Sequence, residues 1–141
     1  MGARMVAIVL FFGLVAPACS PVPALMKTVG TSAVVVSGAY RSLAAFDSQK
    51  LADVKALAQA GKPAEAEAML NAYLPRYGAA RKAVDAASVA VEGAAAAVPI
   101  VKLAKDPKAQ AAQWITTITL VMGDLASACA AVGVKIPMVM K

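Results

Sequence analysis

Eight carboxylates carry most of this chain's capacity for proton chemistry, and their spacing argues against catalysis. Asp47, Asp53, Glu65, Glu67, Asp85, Glu92, Asp106 and Asp124 are scattered. Only Glu65 and Glu67 are close, and two residues apart on a helix they face different ways. There is no histidine, hence no imidazole base, no imidazole metal ligand and no triad of the usual kind. Two distant cysteines, Cys19 and Cys129, cannot make a zinc site. The glycines are scattered and build no phosphate-cradling loop. The residues predict no enzyme, no bound metal and no cofactor.

What remains is recognition. Tyr73, Arg76 and Tyr77 gather around Pro75, with Arg81 a turn further on. Tyrosine and arginine on a kinked helix form a possible partner-binding surface; core tyrosines beside surface charges are the plainer reading. Asp124 is alone in an otherwise uncharged run from Ala109 to Val134. It is either an acid inside a membrane span or the edge of a bundle helix meeting solvent.

The elements that carry these residues read as helices. The composition is rich in Ala, with few aromatics and no Asn-Gly or Asp-Gly hairpin turns. Val36, Tyr40, Leu43, Asp47, Leu51, Val54 and Ala58 follow helical spacing and are apolar except for Asp47. Thr31 or Ser32 is the expected N-cap of that first helix. Gly61 then Pro63 reads as a helix end and a new start, an αα-hairpin. The second stripe is Met69, Tyr73, Tyr77, Ala80, Val84, Ala87, Val91, Ala95 and Val98, with Pro75 kinking or breaking it and Pro99 ending it. Residues 100–105 read as a linker. Asp106-Pro107 opens a third helix with the stripe Trp114, Ile118, Val121, Leu125, Ala128 and Val132, closed by Gly133. The predicted fold is all-α: a small antiparallel three-helix bundle over residues 31–141, with an apolar tail from Ile136 that packs back or frays.

The first eighteen residues have a different character. Arg4 precedes an apolar run from Met5 to Val15, followed by Ala16-Pro17-Ala18. A positive start, an apolar core and a small-x-small exit make a secretory signal peptide. The run is too short for a bilayer core, which takes about 20 residues.

Leu14-Val15-Ala16-Pro17-Ala18-Cys19-Ser20 resembles the lipobox of bacterial lipoproteins. The resemblance covers residues 1–24. Ala16 stands where Leu is usual and Pro17 where a small non-proline residue is usual, and Ala16-Pro17-Ala18 equally fits an ordinary signal-peptidase site. The resemblance implies lipid attachment at Cys19, cleavage before it, and acylation of the new amino terminus. Ser20 after the cysteine implies the outer membrane of a Gram-negative cell, with residues 19–30 as a Pro-rich tether. Residues 33–98 also broadly resemble the Ala-rich helical hairpins of small uncharacterised bacterial and prophage proteins, a likeness of composition that carries no residues over.

The net charge of +6 suits an anionic membrane surface or simply a solvated exterior. It comes without the basic block that nucleic-acid binding favours. The expected protein is a lipid-anchored helical bundle of the cell envelope, in the outer membrane or periplasm, that binds or scaffolds an envelope partner. Two other readings stand: a small integral, holin-like membrane protein with spans near 5–18 and 109–134, and a secreted soluble module. In the last, Cys19 and Cys129 could pair as a disulfide; with Cys19 lipidated, Cys129 is a small buried residue.

Overall fold

The computed structural model describes residues 20–136, and these form three long helices joined by two short turns. Helix α1 spans Pro21–Gln59, α2 Pro63–Leu103 and α3 Pro107–Val132. Every pair of helices is in contact, and no strand occurs among the described residues. The predicted antiparallel three-helix bundle is the observed fold.

Each helix has proline at its first position, where no intrahelical N–H bond is required and the fixed φ is already helical. This corrects the start expected for α1. Residues 21–30 are helix, not a tether, because Pro21 and Pro23 both fall within the first turn, where the N–H groups have no helical partner to lose. Gly30 lies exposed within α1 without breaking it.

The α1–α2 turn closes as the Gly-Lys-Pro sequence predicts. Gly61 takes φ +77°. Its N–H donates to the Ala58 carbonyl at 3.2 Å, and the Lys62 N–H to the Leu57 carbonyl at 3.0 Å. These two bonds satisfy carbonyls left over at the helix end. Gly133 ends α3 with the same pair, at φ +90°. Asp106 caps α3, its Oδ1 accepting from the Ala109 N–H at 2.9 Å.

Helix α2 is one element, not two, and it passes through both internal prolines. Pro75 and the residue whose carbonyl it leaves free, Asn71, are exposed, so water can satisfy that carbonyl. Pro99 does not end the helix: Val101, 1% exposed, holds a further turn against the core. Residues 100–103 are therefore helix, and only 104–106 connect α2 to α3.

The core is built on a seven-residue repeat. Along α2, Tyr73, Ala80, Ala87, Ala94 and Val101 are buried, with Val84 and Val91 between them. Along α1 the buried set includes Leu25, Ser32 and Ala39 on one line and Val22, Val36 and Leu43 on another. Along α3 it is Ala111, Ile118, Leu125 and Cys129. Such spacing at 3.5 residues per turn keeps one seam facing the neighbouring helix. Several stripe assignments shift accordingly: Ala94 is buried where Ala95 was expected, Tyr40 and Leu51 are each 48% exposed, and Ala58 is exposed. Alanine at repeated seam positions brings the helices close. At Gly93 an added Cβ would lie 3.3 Å from the Trp114 ring, so glycine admits the indole against the α2 backbone.

The helices differ in length: 39 and 41 residues against 26 in α3. The end of α3, Ala131 and Val132, lies beside Phe46 and Tyr73. Among the described residues, α1 and α2 alone continue beyond that level, as a two-helix tip of about 20 Å at 1.5 Å per residue.

Candidate functional site

Asp47, the one polar residue in the α1 stripe, and Tyr73 on α2 meet where α3 ends. The Tyr73 hydroxyl donates to Asp47 Oδ1. Around this pair a ladder of rings and cations joins α1 to α2. Phe46 and Tyr73 have centroids 6.0 Å apart, Tyr73 and Tyr77 5.3 Å. Lys50 Nζ lies 5.5 Å from the Phe46 ring, and the Arg81 guanidinium 5.1 Å from the Tyr40 ring. Arg81 Nη1 also reaches the Tyr77 hydroxyl at 3.5 Å. Such ring pairs and cation–π contacts contribute about 0.5–1.5 kcal/mol each beyond area burial.

The fold thus brings three of the four expected partner-binding residues together, and turns them inward. Tyr73 is buried and bonded to Asp47 of α1; Tyr77 is half-buried against the core, Arg81 is half-buried over the Tyr40 ring of α1, and Arg76 alone is exposed. Arg76 borders a shallow groove with Lys50, Met69, Tyr73 and Val132. In the sequence Asp47 interrupts an apolar stripe, and that interruption signals its role, though not its partner.

Burial, and then the hydrogen bond and charge of Asp47, push the Tyr73 hydroxyl well above the ordinary tyrosine value. A raised folded pKa means that at alkaline pH the unfolded chain releases this proton before the folded one does. Stability is then lost as pH rises above about 10, the unperturbed tyrosine value. Tyr73→Phe leaves Asp47 without its donor and should lower stability by about 1–3 kcal/mol at neutral pH. Urea unfolding at pH 7 and pH 10.5 checks both points, since the variant should also lose part of the alkaline slope.

Cys129 is fully buried and free, and burial pushes its thiol up. It lies in the last turn of α3, near the level of Phe46. Phe46 is 25 residues along α1 from Pro21, or about 37 Å of helix. The Cys19–Cys129 disulfide of the secreted-module reading involves Cys19, which lies outside the described residues. The Cys129 thiol should resist Ellman's reagent in the folded protein and react fully in denaturant.

Asp124 is exposed on α3. The hydroxyls of Thr116, Thr117 and Thr119 donate back to carbonyls four residues earlier, at 2.9, 3.0 and 2.8 Å. No group of three or more metal-ligating side chains occurs among the described residues. Cys19, the expected lipid-attachment residue, lies outside the described residues. No family model, curated protein or solved structure matches this chain.

Proposed function

We propose that this chain is an exported, lipid-anchored protein of the bacterial cell envelope, whose helical bundle binds or scaffolds a partner and performs no chemistry itself. The observation that supports it most is where α1 begins. Helix starts at Pro21, two residues after Cys19. A lipid on Cys19 would thus be coupled to a rigid rod, not to a loose leash. Helix α1 has 39 residues, about 58 Å at 1.5 Å per residue. The bundle would hold its two-helix tip that far from its anchored end. The tip and the Arg76 groove are the surfaces offered to a partner.

A second reading has its own support. All three helices are long and apolar enough to cross a membrane by length and composition. The Thr116, Thr117 and Thr119 hydroxyls are satisfied within α3, as a lipid-facing helix would require. On these points rests the 109–134 span of the integral, holin-like reading; its other span, near 5–18, lies outside the described residues. Against it, Asp124 is exposed in the middle of the second span, at a cost of about 2.5–3.5 kcal/mol in a helix centre in lipid.

The deciding experiment is the intact mass of the protein recovered from membranes of an expressing bacterium. A chain beginning at Cys19 with added acyl mass is the expected result. A full-length chain retaining Met1 would overturn the export reading.

A further inference from the structure

The distribution of charge along the bundle is uneven, and it follows the topology. The chain has 14 basic and 8 acidic side chains. With Arg4 and Lys141 set aside, twelve basic residues face eight acidic ones, a surplus of four over the described part. Antiparallel packing gathers the start of α1, the end of α2 and the start of α3 at one end, the base. Lys27, Lys102, Lys105 and Lys108 lie there against Asp106 alone, a surplus of three. At the tip, Lys50, Lys55 and Lys62 are balanced by Asp53, Glu65 and Glu67, and two of these pairs are ion pairs, Lys50–Asp53 at 3.8 Å and Lys62–Glu65 at 3.0 Å. The base also exposes large apolar side chains among its lysines. Leu103 is 88% exposed, Ile100 67% and Met26 54%.

We propose that this base docks on an anionic bilayer surface, with Met26, Ile100 and Leu103 entering the headgroup boundary and the four lysines meeting lipid phosphates. Lysine stems lie along apolar surface while their ammonium groups stay at the polar level, and basic residues interleaved with apolar ones suit an interface better than a purely charged partner does. The inference rests on the envelope reading, which places the base beside a membrane, and it adds what lipid is recognised and how the rod stands.

The bundle docks and does not span. Between Lys27 and Arg41, α1 has thirteen uncharged residues, about 20 Å of helix against a hydrocarbon core of about 30 Å. On α2 the exposed Glu92 interrupts the same belt. Val34, Val89 and Leu120 are exposed in that belt, so its position relative to lipid is the rival outcome to be read.

The test uses the full chain, purified from membranes and reconstituted on vesicles carrying brominated phosphatidylcholine. Trp114 is the sole tryptophan. In a Trp114→Phe background with helix content verified, an indole is introduced by Leu103→Trp at the base, or by Val89→Trp in the belt. The base indole is expected to be quenched on vesicles containing phosphatidylglycerol, and released by 0.5 M salt or on neutral vesicles; the belt indole is expected to stay unquenched. Each lysine near an anionic surface contributes about fivefold to binding, so K102Q, K105Q and K108Q together should weaken docking on the order of 100-fold. Equal quenching at both positions would overturn the proposal in favour of spanning. No quenching at position 103, or quenching indifferent to salt and headgroup, would overturn it as well. Flotation of the protein with the vesicles reads the Cys19 anchor separately, so loss of the anchor and loss of docking are told apart. The salt titration on unaltered lysines keeps the test decisive should the triple variant fold poorly.

Discussion

Leu43→Ala is expected to destabilise the bundle by about 2–5 kcal/mol, the range for truncating a fully buried leucine. Leu43 is 0% exposed and is one of only six large side chains fully buried in the described core. Much of the remaining buried surface is alanine: Ala39, Ala80, Ala87, Ala94, Ala97 and Ala111. Alanine has no rotamer with which to fill a neighbouring void, so little of the lost volume can be recovered by repacking. For a domain of this size each kcal/mol is worth roughly 4 °C, which puts the fall in Tm on the order of 10–20 °C. Leu51→Ala is the control. Leu51 belongs to the same predicted stripe but is 48% exposed, and its truncation should cost less than about 1 kcal/mol. Calorimetry of the two variants checks the contrast. Equal losses would mean that the α1 register is wrong.

Cys19→Ser is expected to release the protein from the membrane fraction and abolish any acyl mass. An acyl chain adds about 0.8 kcal/mol of binding per buried CH₂, and two or more chains hold a protein durably. Without them the base lysines remain, and those are screened by salt within a Debye length of about 8 Å at physiological ionic strength. A high-salt wash should then complete the release. Retention of Cys19→Ser in membranes through salt and alkali, yielding only to detergent, would transfer the case to the integral reading. Release of both proteins alike, with no acyl mass on the parent, would leave a freely secreted bundle.

The turns of this fold were readable because their chemistry is local. Gly61 before Pro63, Asp106 before Pro107, and Gly133 each announce a helix boundary within a few residues, and each boundary falls where expected. The prolines misled where their effect depends on position. Pro21 and Pro23 read as parts of a tether and Pro99 as a terminator, yet the first two lie in the first turn of α1 and the third is followed by one more turn of α2. Within the run Ala94 to Ala97, side-chain type carries no information about which face is buried, so the register there came only from packing. The candidate site was half visible. Tyr73 and Asp47 were both noticed, but they are 26 residues apart, and their pairing depends on hairpin register, which no local pattern encodes. The basic base was likewise hidden, because its lysines come from three separate helices and the turn between two of them.

The inequality of helix lengths grades the molecule's resistance to opening. From Leu51 to Ala72, Ala66 alone is buried, while the base holds a shared core of all three helices. Few buried contacts mean a low free energy of local opening. Amide exchange should therefore quicken from base to tip, with the turn at Gly61 cycling between folded and frayed while the three-helix section stays closed. A partner that closes on the tip would be selecting its ordered members and would tighten the upper part of the rod as it binds.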